Sequence, residues 1–435
     1  MASAAVSAQA PRVSCSLTLD PNFAGKKEKN IQTGIPFLDH MMDQLNSHAQ
    51  IYTQLTNTFK VTPNQPARPN QHYTHTIPAL KGDREEVDLQ IVTVVGICLG
   101  KATAQLLQGA GKKPTGGCFF CPLDEALARV EIDFCVDDTT LRYNQLPFGH
   151  YPRGGRSVVG NLKLSLLQNF WSGVSDGLHS AGLNTHLTVE KLRGDNAHHI
   201  VESSFKAFAR AIRQSIDRTL QWDELLMATP PRTAATSRKT NETSIDVTIN
   251  LDGRCHESCA IETGLTTLDM MVEAVVSSGL VDLNVRCQGD TWIDDHHTTE
   301  DVGIAIGQCI NEALRTKAGC VRMASRGVEE YGLPVLRVVM DLSNRPHFEH
   351  NLDFGDIEMV GDVSCEMVVH FLESLSTASR MTVHVVQDNS NGAPTQPLEL
   401  VRRVCSLWGE CLNVCSSIDP RRAGSVTSSK GTLSA

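Results

Sequence analysis

TGIPFLDHMMDQ, Thr33 to Gln44, recurs as TGLTTLDMMVEA, Thr263 to Ala274, 230 positions later. An internal repeat fixes the architecture before any single element does. VVGICLGKA (Val94–Ala102) matches DVGIAIGQC (Asp301–Cys309) at an offset of 207, and LARVEIDF (Leu127–Phe134) matches VLRVVMDL (Val335–Leu342) at 208. The fall from 230 to 207 means that the first copy carries about 23 extra residues between Gln44 and Val94. There TPNQPARPNQHYTHTIP has the Pro and Asn content of a loop. Copy 1 therefore occupies residues 1–228 and copy 2 residues 229–435, joined through the linker-like ATPPRTAATS.

Within each copy, strand and helix patterns alternate. ETSIDVTINLDG and LPVLRVVMDLS place β-branched residues with period two and read as strands. Apolar residues at i, i+3 and i+4 predict helices over Asn196–Asp217 and Asp295–Lys317; Pro36–Ser47, Lys163–Ser180 and Cys365–Ser379 also read as helices. Each copy divides into two similar halves, each with strands and two helices. The expected fold is α+β, a tandem duplication with helices on one face of each sheet.

Composition narrows the function. At 435 residues, 41% hydrophobic and 20% charged, the chain is ordinary globular protein. No run of about 18 consecutive apolar residues occurs, so no membrane-spanning segment is expected. A net charge of −10 argues against nucleic acid. It leaves room for a small anion in a locally positive pocket. Fourteen cysteines without framework spacing fit a reducing compartment. The one Cys-x-x-Cys, Cys118 and Cys121, has no second pair and reads as packing. Met1–Ala10 is rich in Ala and Ser, lacks the apolar core of a signal peptide, and has only Arg12 near it as positive charge. A cytoplasmic location is expected, with a plastid or other organelle, reached through a short transit segment, as the alternative.

The chemistry lies in two similar motifs. DDHHTTED holds His296, His297 and Glu300; NAHHIVES holds His198, His199 and Glu202. Each is His-His-x-x-Glu at the start of a predicted helix. The Glu lies one turn beyond the histidines, while the two imidazoles point about 100° apart. Adjacent histidines in this geometry serve two neighbouring ions better than one. Imidazole with carboxylate suits Mn, Fe or Zn, and the absence of thiolate weakens a structural zinc site. The spacing differs from the metalloprotease His-Glu-x-x-His.

GIPFLDHMMDQ, IDDHHTTEDVGIAIGQ, PLDEALARVEID, GDNAHHIVESSFKAFARAIRQ and the terminal SSKGTL together resemble the imidazoleglycerol-phosphate dehydratases of histidine biosynthesis. The resemblance covers nearly the whole chain, twice over. It implies half-units of the ribosomal-protein-S5-like βα type, a homo-oligomer, and sites at subunit interfaces holding two Mn(II) each. It also implies a small phosphorylated imidazole as the substrate, dehydrated to imidazoleacetol phosphate.

The departures divide the family's residues between the copies. Copy 1 keeps His40, Gln44 and His48, where copy 2 has Met270, Ala274 and Ser278. Copy 1 also keeps His198, His199 and Glu202, while the matching stretch of copy 2, around APTQPLELVRR, has no histidine. Copy 2 keeps His296, His297, Glu300 and His370, where copy 1 has Leu89, Gln90, Thr93 and Asn169. Asp124 and Glu125 survive in copy 1 alone; Arg322, Arg345, Ser428 and Lys430 survive in copy 2 alone. RKTNETS, matching an early family motif, places Glu242 in copy 2, and copy 1 has nothing like it. His186 and His384 align and survive in both copies, so they read as structural. No family element is missing from both. The expectation is duplication followed by complementary decay, leaving one composite site.

The resemblance then implies the roles. His40, His198, His199, Glu202, His296, His297, Glu300 and His370 hold the two metals. The substrate imidazole binds between them as an imidazolate and acts as an electron sink. Glu242 shuttles the proton, with Asp124 and Glu125 in support. Arg322, Arg345, Ser428 and Lys430 grip the phosphate, and Gln44 and His48 touch the substrate. The competing expectation is an inactive metal-binding oligomer that keeps the shell without turnover. Head-to-tail assembly would close in an even ring with half its interfaces complete.

Overall fold

The computed structural model describes residues 3–21, 30–59, 68–69, 76–77, 84–134, 140–143, 156–220, 231–253, 259–329, 334–389, 396–422, 424–426, 428 and 433. They form two compact units, Met1–Glu224 and Leu225–Ala435.

Unit 1 runs β1 (Ala4–Gln9), β2 (Val13–Asp20), β3 (Asn30–Gln32), α1 (Pro36–Ala49), β4 (Tyr52–Phe59), the short β5 (Arg68–Pro69) and β6 (Thr76–Ile77), then α2 (Arg84–Gln108). Its second half runs β7 (Gly117–Leu123), β8 (Ala126–Asp133), β9 (Thr140–Tyr143), the ribbon β10 (Val158–Val159) and β11 (Leu162–Lys163), α3 (Leu167–Ser180), β12 (His186–Arg193) and α4 (Ala197–Leu220). Unit 2 repeats the plan: β13 (Thr233–Lys239), β14 (Thr243–Asn250), β15 (Ile261–Glu262), α5 (Thr266–Gly279), β16 (Asp282–Gly289) and α6 (His296–Leu314). Then follow β17 (Met323–Val328), β18 (Val335–Asp341), β19 (His347–His350), the ribbon β20 (Met359–Val360) and β21 (Val363–Ser364), α7 (Cys365–Ala378), β22 (Thr382–Asp388) and α8 (Pro397–Ser416).

One module, βββαβα, thus occurs four times. Its sheet orders are β1-β2-β4-β3, β7-β8-β12-β9, β13-β14-β16-β15 and β17-β18-β22-β19. In each, the third strand lies parallel to the fourth, as the helix between them requires. The second helix of each module covers its sheet: α2 on β1 and β2, α4 on β7 and β8, α6 on β13 and β14, α8 on β17 and β18. Within a unit the helices pair across the halves, α1 with α4 and α2 with α3, then α5 with α8 and α6 with α7. The α+β architecture with helices on one face follows, and each predicted helix is present within a few residues of its expected limits.

The repeat that opens the sequence is a helix brace. Asp39 accepts from the Thr33 backbone N–H at 2.7 Å, and Asp269 accepts from that of Thr263 at 2.9 Å. Gly34 at φ 91° and Gly264 at φ 88° make the turn, a region that disfavours any side chain. Thr, Gly and Asp persist in both copies because they start a helix. His40, one residue on, is free to change.

The structure adds detail to two sequence readings. Among the described residues α2 is long and apolar enough to cross a membrane by length and mean hydropathy. Thr93, Gly96 and Gly100 interrupt it, so a count of consecutive apolar residues misses it. Its most apolar stretch is 72% buried within unit 1, and a Cβ at Gly100 would lie 2.2 Å from the Val174 carbonyl of α3. The second concerns the hairpin bearing Glu242. Copy 1 does have that hairpin, β1–β2, with Arg12 standing 230 positions before Glu242. The scaffold survives and its acid is gone. Ala4–Gln9, within the segment considered for transit, forms strand β1 paired to β2. Cys118 and Cys121 lie three apart on β7 and point to opposite faces, so they share no ion. The insertion in copy 1 falls largely outside the described residues.

Candidate metal centres

In unit 1, α1 and α4 bring His40, His198 and Glu202 together, with one ligand atom from each within 4.8 Å of the others. His198 Nε2 lies 3.1 Å from Glu202 Oε2, and Phe37 packs edge-on against the His198 ring. Burial alone would push the Glu202 carboxyl up; Lys206 at 2.8 Å and His198 more than offset it and hold it well below the carboxylate range. Burial pushes the His40 imidazole below its ordinary value, which keeps it neutral, the form that ligates a cation.

In unit 2 the equivalent trio is His296, Glu300 and His370, on α6 and α7. Glu300 stands between the rings, 3.7 Å from His296 Nε2 and 3.5 Å from His370 Nε2. Two imidazoles and one carboxylate make a donor set that fits Mn(II), Fe(II) or Zn(II) in either trio. Each trio leaves coordination positions for further ligands.

The second histidine of each pair turns away, as the 100° step predicts. His198 and His199 rings are inclined at 84°, and those of His296 and His297 at 81°. Each outward ring is held by a carboxylate: His199 Nδ1 lies 2.9 Å from Glu125 Oε2, and His297 Nδ1 lies 3.0 Å from Asp290 Oδ2. A carboxylate accepts, so in the neutral ring it favours the proton on Nδ1 and leaves Nε2 as the atom that could ligate a metal. Asp290 raises the pKa of His297; burial opposes it, and Glu242 adds to the rise. Glu125 also accepts from the Asn196 backbone N–H at 3.1 Å, tying the β7–β8 turn to the start of α4. Asp124, on the same turn at φ 49°, lies 3.9 Å from His199 Nε2. Sequence reasoning missed Asp290. The signal was an Asp opening the GDTWIDDHH segment, in reach of the ligand helix.

Glu242 sits exposed on the β13–β14 turn, within electrostatic range of His297. Asp301, next to Glu300, anchors that turn through Arg238 at 2.7 Å and Thr243 at 2.6 Å. Gln44 is buried with its amide 3.4 Å from His40 Nε2. His48 is 1% exposed. Eight residues beyond His40, it is turned about 80° around the helix from that ligand.

The phosphate set differs from a row of free cations. Arg322 is 4% exposed and pairs with Asp341 through Nε at 2.6 Å and Nη2 at 2.8 Å. The pair holds the guanidinium expected at the phosphate in a fixed place beside the neighbouring loop. Lys317, 2% exposed, donates to Asn344 Oδ1 and lies 3.4 Å from the Arg380 carbonyl. This clamps Asn344 at φ 60°, beside Arg345. Arg345 and Ser428 are half-buried, and Lys430 lies outside the described residues.

Burial pushes the Lys317 ammonium down to about 8 from 10.5. Between those pH values the unfolded chain binds the extra proton, so this group makes unit 2 more stable as pH rises, by at most about 1.4 kcal/mol per pH unit. Cys405 and Cys411, pushed up to about 12 by burial, act oppositely above pH 9. Chemical unfolding between pH 7 and 10.5 is expected to show a rise in the parent, relative to Lys317→Met. Parallel curves would place Lys317 in water.

A sequence model described as imidazoleglycerol-phosphate dehydratase matches residues 72–212 and again 263–394. The imidazoleglycerol-phosphate dehydratase of Microcystis aeruginosa is 38% identical over 205 residues, covering 47% of this chain and 94% of that protein. The proteins of the same name from Haloquadratum walsbyi and Geobacillus kaustophilus are each 40% identical over 202 residues, covering 46% of this chain and 92% and 99% of theirs. Among solved structures, that of imidazoleglycerol-phosphate dehydratase from Staphylococcus aureus is 25% identical, with a TM-score of 0.36, covering 43% of this chain and 99% of its own. A family matched twice, by relatives spanning half the chain, fits a duplicated form.

Proposed function

Since the chain belongs to the imidazoleglycerol-phosphate dehydratase family, we propose that it dehydrates imidazoleglycerol phosphate at a composite site drawing ligands from both units, of one chain or of neighbouring chains. One observation carries this reading: each unit keeps a ligand trio on one helix pair and has lost it on the other. Unit 1 keeps His40, His198 and Glu202 on α1 and α4, and unit 2 keeps His296, Glu300 and His370 on α6 and α7. Decay without selection would not spare one full set.

These six residues, with His199 and His297, would hold two Mn(II). When bound, the cations draw electron density from the substrate imidazole and stabilise negative charge on the ring. The protein's own groups do the rest. Glu242 accepts the carbon-bound proton, and its exposed turn leaves it free to reach substrate. The hydroxyl on the carbon next to the ring departs as water, and the enol that remains ketonises to imidazoleacetol phosphate. Glu125 and Asp290 fix the outward imidazoles. Arg345, Ser428 and Lys430 would hold the phosphate, with the Arg322–Asp341 pair and Lys317 shaping the loop.

The deciding experiment is turnover of imidazoleglycerol phosphate by chelator-stripped protein before and after Mn²⁺ is restored. Product is expected only with metal. No product from folded, Mn-loaded protein would sink the enzyme reading in favour of an inactive metal-binding oligomer. Asp290→Asn should weaken Mn²⁺ binding about 10- to 100-fold, because the amide no longer fixes the His297 tautomer. Electron paramagnetic resonance of a Mn²⁺ titration measures this; an unchanged affinity would remove His297 from the metal set.

A further inference from the structure

The position that lost its ligands in unit 2 has become a different kind of site. α8 opens at Pro397, 200 positions after Ala197 opens α4, and α5 follows α1 by 230. By these offsets His40 is replaced by Met270, Gln44 by Ala274, Glu202 by Arg402 and Lys206 by Ser406. A cavity of about 390 Å³ lies there, walled by α5 and α8. We propose that this cavity binds a free α-amino acid with an apolar or aromatic side chain.

The lining sets the ligand class. Arg402 is held by Glu399 through Nε at 2.9 Å and Nη2 at 2.8 Å, which leaves Nη1 to receive a carboxylate. Glu273, on the other helix wall, offers a carboxylate to an ammonium group, and Ser406 adds a hydroxyl. Much of the remaining lining is apolar, with Ile261, Met270 and Val276. The Met270 thioether packs well against aromatic rings. The volume suits a small molecule, at the low end of the usual range of about 300–1,000 Å³. Among the described residues no metal-binding cluster forms there, since the histidine and carboxylate positions are now Met270 and Arg402. A phosphate dianion would face one arginine and one opposing carboxylate. A zwitterion with an apolar side chain meets a cation, an anion and an apolar lining. This binding is independent of the proposed dehydration.

Calorimetric titration of the full Mn-loaded chain with each protein amino acid tests it. Saturable binding of one or a few apolar or aromatic amino acids is expected. Arg402→Gln and Glu273→Gln should each weaken it at least about tenfold. The deaminated and decarboxylated analogues of the best ligand should lose a similar factor against the parent protein. His296→Ala, at the metal trio of the same unit, should leave the affinity unchanged. Three results overturn the proposal: no amino acid binds, binding survives both charge substitutions, or either analogue binds as well as the amino acid. Binding lost in His296→Ala would also overturn it, by placing the ligand at the metal trio. Both substituted side chains are at the surface, and matched thermal melts verify that the variants fold.

Discussion

His198→Ala in unit 1 and His296→Ala in unit 2 are each expected to lower kcat/KM for imidazoleglycerol phosphate by on the order of 10³-fold, and the double variant by little more. Each residue supplies one of three clustered donors, beside Glu202 in the first case and Glu300 in the second. Losing one donor empties or misplaces a cation on which the ring's charge depends. Residues that act as one unit give non-additive losses. The comparison discriminates sharply between architectures. If each unit worked alone, either single variant would keep about half of the activity, and only the double would be inert. If one trio were vestigial, its variant would match the parent. Steady-state kinetics on Mn-loaded protein, with metal content measured beside it, decides among these.

Asp341→Ala carries the second large effect, on stability. Asp341 is fully buried and takes two hydrogen bonds from Arg322, itself 4% exposed, with the Lys317 ammonium nearby. Removing the acid strands buried positive charge. A buried pair broken on one side costs about 3–5 kcal/mol, against about 5–15 kcal/mol for a whole domain. Urea unfolding should show the unit 2 transition falling by that amount while unit 1 is unaffected. The Arg322→Met, Asp341→Leu double variant should recover much of the loss, since the guanidinium is no longer stranded. A single variant within about 1 kcal/mol of the parent would mean that water reaches Arg322.

Much of this was legible because the repeat is long and its chemistry local. His-His-x-x-Glu sits within one turn of helix, so its geometry follows from helical pitch alone: His198 faces Glu202 one turn on, while His199 turns to Glu125. What failed was non-local. Arg322 and Asp341 are 19 residues apart and meet only once β18 pairs with β17. Lys317 becomes a clamp only where the chain returns at Asn344 and Arg380. The burial of His48 was hidden because positions 40, 44 and 48 look collinear in a sequence, yet each four-residue step turns about 40° around the helix. The β1–β2 hairpin was missed in copy 1 because its identifying acid had become Arg12 while its pairing, which sequence similarity does not register, was kept.

The placing of the surviving trios on opposite helix pairs has a genetic consequence. A chain damaged at His198 keeps an intact α6–α7 contribution, and a chain damaged at His296 keeps an intact α1–α4 contribution. If sites form between chains, two such alleles expressed together would complement one another, and mixed assemblies would regain part of the activity that neither has alone. If each chain closes its own site, the two alleles would stay null in combination. Either way, if the composite site holds, a gene fragment encoding a single unit would encode no enzyme, and redundancy would have turned into mutual dependence.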